Sequence, residues 1–246
     1  MEKLFLGVYW PARKETIRSA AERLFEIIHQ ISKIDNRLGR LKADTTSKAL
    51  NSELDFNNSD PAVINDLANV ILDNRRADIK KYHPGVTPSV DFHEPIGFTQ
   101  FFSVKEVKKM SFSSIIGCYS AGMTNNFLIT FPAKFQYDFN YVYNLFKTII
   151  ILTKPDWGVV KSHELEKTVG SQPMPAMPVG WFNFISGKYA LKDVQGSIFK
   201  ENLDGGTLTC TTSQIEILSS NNPDHIRNVT YLANYFKEKG ITRKSF

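Results

Sequence analysis

The chain has 246 residues and a net charge of +5, with 42% hydrophobic and 22% charged residues. This composition is typical of a folded globular protein and excludes an intrinsically disordered chain. The positive charge is spread along the sequence, and no run of Lys and Arg is longer than two, so it is weak evidence for a nucleic-acid-binding face. We expect a single domain that spans residues 1–246.

The cysteines and the hydropathy pattern indicate a cellular compartment. Cys118 and Cys210 are too few for a disulfide framework and lack the paired spacing of a zinc site, which favours a reducing compartment. The apolar stretch near the N-terminus is shorter than the core of a signal peptide, and no window approaches about 18 uninterrupted apolar residues. The expectation is a cytoplasmic protein that neither is exported nor spans a membrane.

The first quarter of the chain predicts a strand and two helices. Residues 4–10 are apolar and aromatic up to a proline, as in a short strand buried on both faces. From residue 16 the apolar positions recur every three to four residues and predict an amphipathic helix of about five turns. A polar, turn-rich segment follows at 37–60, and Asp60-Pro61 then begins a helix that extends to about residue 79.

The remaining elements alternate between clustered strands and single helices. We predict strands at 98–107, 111–120 and 126–131, a helix at 137–152, a strand at 157–160, a helix from Ser162, strands after Trp181 and at 207–212, and a last helix at 223–239. The closely spaced strands favour antiparallel pairing. The predicted fold class is α+β, a single domain with a mainly antiparallel sheet packed with several helices.

The sequence does not support an enzyme. It lacks a nucleophile elbow, a phosphate-binding glycine loop and a dinucleotide motif, and both cysteines fit inert core thiols. His29 fits a buried structural position. His83, His93 and Glu94 lie around a proline-rich loop and leave open a metal site, or a hydrolase with a dispersed site. We otherwise predict no catalytic residue, no metal and no cofactor.

Aromatic residues are the other unusual feature. They make up 12% of the chain, and Trp10, Trp157 and Trp181 each stand close to Gly or Pro at the edge of an element. Such residues either fill a core or serve as anchors in a protein–protein interface. Together with the positive charge they also leave open a nucleic-acid-binding module.

Several motifs together resemble the immunity protein 52 family of bacterial polymorphic toxin systems. They are "GVYWPARKET" followed by "AERL", then "VGWFNFIS", a Gly-Gly strand and an "NPDHI" helix that ends at glycine. The resemblance covers residues 4–40 and 177–241. The recurring family positions present here are Gly7, Tyr9, Trp10, Arg13, Lys14, Glu15, Gly180 and Trp181. Where the family usually has glycine and proline after the first tryptophan, this chain has Pro11-Ala12.

The resemblance implies a function. Members of that family bind and neutralise a cognate secreted toxin, in many cases a restriction-endonuclease-like nuclease delivered by type VI or contact-dependent secretion. It implies a toxin as the protein partner and no catalytic residues. We expect no membrane partner, and the nucleic-acid-binding module is the less favoured alternative. The candidate toxin-binding or family-signature residues are Tyr9, Trp10, Arg13, Lys14, Glu15, Trp157, Gly180 and Trp181.

The net charge bears on how such a toxin is bound. An inhibitor that fills the DNA groove of a nuclease is expected to be acidic, yet this chain is basic. Either the contact face of the toxin is acidic, for example around metal-binding carboxylates, or the protein binds away from the active site.

Within the opening motif we expect Arg13, Lys14 and Glu15 to begin the first helix. The two basic residues there then need a partner: an internal carboxylate, the region around Gly180, or the toxin.

Overall fold

The structure is a computed structural model, and it describes residues 1–45, 47–50, 52–170, 176–187, 194, 196–203 and 205–243. In chain order its elements are β1 (Leu4–Trp10), α1 (Ile17–Ser32), a 3-10 helix (Asn36–Gly39), β2 (Arg40–Ala43), β3 (Glu53–Asp55), α2 (Pro61–Tyr82), β4 (Phe98–Val104), β5 (Ser111–Ile116), β6 (Asn125–Thr130), α3 (Phe139–Thr153), β7 (Trp157–Ser162), α4 (His163–Val169), β8 (Phe182–Ser186), β9 (Phe199–Leu203), β10 (Gly206–Cys210) and α5 (Pro223–Glu238).

The chain divides into two compact units. The first consists of Met1–Tyr9 with Thr130–Phe246, and the second of Trp10–Ile129. The prediction of a single domain across residues 1–246 stays a prediction.

The first unit is a five-stranded antiparallel arrangement with helices α3, α4 and α5. Its strands are neighbours in the order β1, β7, β8, β10, β9. The register of β1 and β7 places Phe5 opposite Lys161 and Tyr9 opposite Trp157. Because alternate residues of a strand share a face, both of these pairs lie on one face of the sheet, with Gly7 and Val159 between them. On that face Trp157 and Val159 belong to a core cluster with Leu232 and Phe236 of α5.

The second unit combines the strand order β3, β2, β4, β5, β6 with α1 and α2 packed together. Helix α1 begins where the hydroxyl of Thr16 accepts a hydrogen bond from the backbone N–H of Ser19 at 3.0 Å. Helix α2 begins in the predicted manner, with the carboxylate of Asp60 bonded to the N–H of Ala62 and proline in the first turn. Alternation on β4 is strict, with buried and exposed residues in turn.

One predicted helix start is wrong. Arg13, Lys14 and Glu15 lie before α1, not in it, because Thr16 has extended backbone angles and is the N-cap. The first turn of α1 therefore holds no acidic residue.

Three strands were not predicted: β2, β3 and β9. They are short, and polar or charged residues interrupt their pattern, so no apolar run marks them. Other boundaries differ by a few residues; α3, for example, begins at Phe139 after Asp138, whose carboxylate caps the helix. The Asp204-Gly205-Gly206 sequence before β10 indicates a turn, but Asp204 lies outside the described residues.

The predicted fold class is confirmed. The protein is α+β, and the strand pairings with a described register are antiparallel. Within the described part of the chain, no helix combines the length and the apolar character that a bilayer crossing requires.

Candidate functional site

Two of the candidate residues, Tyr9 and Trp157, meet directly in the first unit. Their rings are stacked with centroids 3.8 Å apart and planes 13° apart. Cross-strand pairing alone brings together two residues that are far apart in sequence, because Tyr9 and Trp157 are register partners on β1 and β7. The stacked pair forms one wall of a cleft.

The cleft has a volume of about 330 Å³. Its lining combines aromatic, basic and small apolar side chains: Lys3, Leu4, Phe5, Tyr9, Thr130, Trp157, Val159, Lys161, His163, Glu166, Pro178 and Arg243. Three of these residues carry a full positive charge, and Glu166 is the one carboxylate among them. The cleft is thus a basic pocket with aromatic walls.

Two of the three cations of the cleft lie over its aromatic rings. The guanidinium of Arg243 lies 5.9 Å from the ring centroid of Trp157, and the ammonium of Lys161 lies 5.6 Å from that of Phe5. Burial raises the pKa of Tyr9 to about 12, although the positive charge of Arg243 acts in the opposite direction. Tyr9 is therefore a neutral phenol at physiological pH, and the positive charge of the cleft is not cancelled by a tyrosinate.

Lys161 is the one cation of the cleft with an internal carboxylate partner among the described residues. Its ammonium bonds to Oε1 of Glu166 at 2.7 Å, and the two side chains are 21% and 31% exposed. Arg243 donates from Nε to the carbonyl of Ala176 at 3.1 Å. Neither Lys3 nor Arg243 forms an ion pair within the described parts of the chain.

Gly180 and Trp181 lie in the core of the same unit. A Cβ at position 180 would stand 2.1 Å from the carbonyl oxygen of Val160, so glycine is required by the close approach of two backbones. Trp181 is fully buried, and its indole N–H donates to the hydroxyl of Thr212 at 2.7 Å. Both residues hold the chain against β7 and are not available to a partner in the folded protein.

The corner after β1 is organised by a buried asparagine that the sequence analysis missed. The side-chain amide of Asn125 donates to the carbonyl of Pro11 at 2.8 Å, and its oxygen accepts from the backbone N–H of Cys118 at 2.9 Å. The backbone N–H of Arg13 donates to the carbonyl of Cys118 at 2.7 Å. Trp10 is buried, and its indole N–H has no hydrogen-bond partner among the described residues.

Charged residues in this corner have separate environments. Glu15 is buried and accepts from Arg23, whose Nε lies 2.8 Å from Oε1. Lys14 is exposed, and its ammonium lies over the ring of Tyr119 at 5.6 Å. Arg13 is also exposed. The partner found for Lys14 is thus an aromatic ring, not the internal carboxylate or the Gly180 region that the sequence analysis considered.

Two residues of the hydrolase alternative, Glu94 and His83, lie together beside Arg75. The carboxylate of Glu94 is buried and lies 3.3 Å from the guanidinium of Arg75 and 3.6 Å from Nε2 of His83. His93 forms a β-bridge with Thr16, and its buried Nδ1 has no partner among the described residues. Within the described ranges no group of three or more His, Cys, Asp or Glu residues could hold a metal ion.

Both cysteine thiols lie in the core and are protonated. Burial raises the pKa of Cys118 and raises that of Cys210 to about 11, so neither is a thiolate near neutral pH. His29 is also buried, with Nδ1 2.7 Å from the carbonyl of Phe56, as its structural interpretation predicts.

The comparisons with known proteins decide the family. The model of the immunity protein 52 family matches residues 2–245. The chain belongs to this family. The match includes the middle third of the chain, beyond the two ends that carry the sequence resemblance.

A solved structure supports the fold of this family member. This chain is similar to the T6SS protein PA0821 of Pseudomonas aeruginosa, with a TM-score of 0.55 and 10% sequence identity. The similarity covers 96% of this chain and 73% of the other. At that identity the likeness concerns the fold alone. The search among curated proteins gives no match.

Proposed function

We propose that the protein is a cytoplasmic immunity protein that binds a cognate bacterial toxin and neutralises it. The observation that carries this proposal is the family match over residues 2–245. It agrees with the signature positions in the opening motif and at Gly180-Trp181.

The toxin in this proposal is a restriction-endonuclease-like nuclease delivered by type VI or contact-dependent secretion. The description of PA0821 as a T6SS protein supports delivery by the type VI system. The assignment of the toxin as a nuclease rests on the family resemblance.

Inhibition in this proposal is by binding and not by catalysis. The protonated state of the two buried thiols supports it, because a thiol nucleophile needs a thiolate. The ion pair of Glu94 with Arg75, and the proximity of Nε2 of His83 to the same carboxylate, support a structural role for Glu94.

Co-expression with the toxin tests this function directly. The toxin to test is the product of a neighbouring gene, which on this proposal encodes a large secreted protein that ends in a nuclease-like domain. Cells that express the C-terminal domain of this toxin are expected to survive when the protein is present and to die when it is absent. Equal killing with and without the protein would exclude the proposed function.

A further inference from the structure

We propose that the basic cleft over the paired strands β1 and β7 binds an acidic segment of the toxin, and that a carboxylate of this segment replaces Glu166 on Lys161. This inference rests on the proposed function, because it names the chemistry of the partner's contact. Of the two explanations for the basic net charge of the chain, it favours the one in which the contact face of the toxin is acidic.

Charge complementarity selects the occupant. The cleft carries Lys3, Lys161 and Arg243 against the single carboxylate of Glu166. Lys3 is exposed, and the terminal nitrogens of the Arg243 guanidinium form no hydrogen bond within the described residues. A guanidinium and two ammonium groups around one pocket favour carboxylates, which accept charge-assisted hydrogen bonds from each of them.

The aromatic geometry favours an acidic peptide over a single-stranded nucleic acid. Nucleic-acid modules of that kind offer open aromatic faces on which bases stack. Here Tyr9 and Trp157 stack on each other, and cations lie over Trp157 and Phe5. Trp157 is only 5% exposed, so its ring is not a platform for a base.

The ion pair between Lys161 and Glu166 is placed where an incoming anion would meet it. Besides lining the first cleft, Lys161, Glu166 and Pro178 also line a second cavity of about 170 Å³ beside α5. The pair therefore stands between the two cavities. Since Lys161 is partly exposed, an anion in the first cavity competes with Glu166 for the same ammonium group.

This competition gives a prediction of increased affinity. Removing the charge of Glu166 leaves Lys161 free for the ligand, so the Glu166→Gln variant should bind an acidic ligand more tightly than the wild type. Unfolding cannot imitate a gain in affinity, which separates this result from a loss of structure. Removing Lys161 or Arg243 should have the opposite effect.

The test uses hexaglutamate peptide as the probe and isothermal titration calorimetry of the full chain at ~50 mM salt. We expect Glu166→Gln to bind about threefold more tightly, and Lys161→Ala and Arg243→Ala to bind about fivefold or more weakly. The control variant is Lys108→Glu, which changes an exposed lysine of the other unit and should leave the affinity unchanged. Equal affinities across the cleft variants would overturn the proposal.

Two further arms decide the class of ligand and its relation to function. If oligo-dT binds more tightly than hexaglutamate and the same substitutions abolish its binding, the cleft is a nucleic-acid site and the proposal is wrong. In the co-expression assay, Lys3→Glu with Arg243→Glu should weaken protection from the toxin, whereas Lys108→Glu should not. Full protection by the cleft variant would reject this binding site and leave the proposed function intact, whereas failure of the wild type to protect rejects the function itself.

Discussion

At Gly180 the absence of a side chain allows two backbone segments to pack closely. A Cβ there would lie 2.1 Å from the carbonyl oxygen of Val160 and 2.8 Å from Cα of Lys161. Because these are backbone atoms, the strand itself must move. We predict that Gly180→Ala lowers the free energy of unfolding by about 2–3 kcal/mol, as measured by urea denaturation.

The matched control for Gly180 is Gly85→Ala. At Gly85 a Cβ meets no atom within 4 Å, and the residue has a positive φ of 88°. Its substitution should cost only the strain of that backbone conformation, about 1 kcal/mol. An equal or smaller cost at position 180 would contradict the close-packing explanation.

The two most deeply buried tryptophans differ in one hydrogen bond. Trp181 donates to Thr212, whereas the indole N–H of Trp10 has no partner among the described residues. Substitution by Phe leaves a similar cavity at both sites, but only Trp181→Phe also breaks a buried hydrogen bond. We predict that Trp181→Phe is more destabilising than Trp10→Phe by about 1–2 kcal/mol in urea denaturation. An equal or reversed order would show that the hydrogen bond contributes nothing.

At the scale of elements, an ion pair attaches the edge strand β9 to helix α3. Lys147 bonds to Oε1 of Glu201 at 2.7 Å, and the hydroxyl of Tyr143 bonds to the other carboxylate oxygen. Burial opposes ionisation of Glu201, but the hydrogen bonds from Lys147 and Tyr143 and the charge of Lys147 hold its pKa below the usual value. Hydrogen bonds to Glu201 and Tyr143 raise the pKa of Lys147.

These shifts predict a pH window for the stability of this contact. A carboxylate whose pKa is lowered in the folded state stabilises the fold at pH values above its unfolded pKa of about 4.3. This contribution is lost as the pH falls through the pKa of the folded state. A lysine whose pKa is raised in the folded state stabilises the fold below its unfolded pKa of about 10.4, and this contribution is lost as the pH rises through the pKa of the folded state.

The Glu201→Gln variant tests this window. It should be less stable than the wild type by about 1 kcal/mol at pH 7, and the difference should shrink as the pH is lowered from 5 to 3. Thermal unfolding at each pH measures the difference. The control is Glu53→Gln on β3, whose ion pair with Lys105 is exposed and should contribute less. A difference for Glu201→Gln that is unchanged at pH 3 would contradict the assignment.

The sequence predicted those elements whose signals are local. Helices α2, α4 and α5 begin at capping residues that are visible in the chain, and β1 ends at a proline. In contrast, β2, β3 and β9 depend on pairing with distant strands and carry no apolar run. Local periodicity cannot report a pairing that is decided by the rest of the sheet.

The candidate site was predicted only in part for the same reason. Tyr9 and Trp157 were each identified from local sequence, but their stacking follows from the register of two strands remote in sequence. Lys161, Glu166 and Arg243 have no local signal, since isolated charges are common on surfaces. Asn125 was missed because a lone asparagine in a strand does not reveal the three backbone groups that it contacts.

At the scale of the whole molecule, the opening motif and the cleft have different expected roles. Arg13 and Lys14 are exposed, and neither side chain forms an ion pair within the described residues. Reversing both charges should therefore change the free energy of unfolding by no more than about 1 kcal/mol, most of it from the contact of Lys14 with Tyr119. The affinity for the toxin should fall much less than it does in the cleft variants. An equal loss of affinity would show that the toxin binds at Arg13 and Lys14, in the corner after β1.

The most direct test of the central claim is a titration of the purified toxin domain with the purified protein, followed by both calorimetric heat and residual toxin activity. The account predicts saturable binding, with toxin activity falling in proportion to the complex formed. It also predicts that Lys3→Glu with Arg243→Glu weakens this binding, while Glu166→Gln does not. A toxin that remains fully active in excess protein, with no heat of binding, would contradict the account.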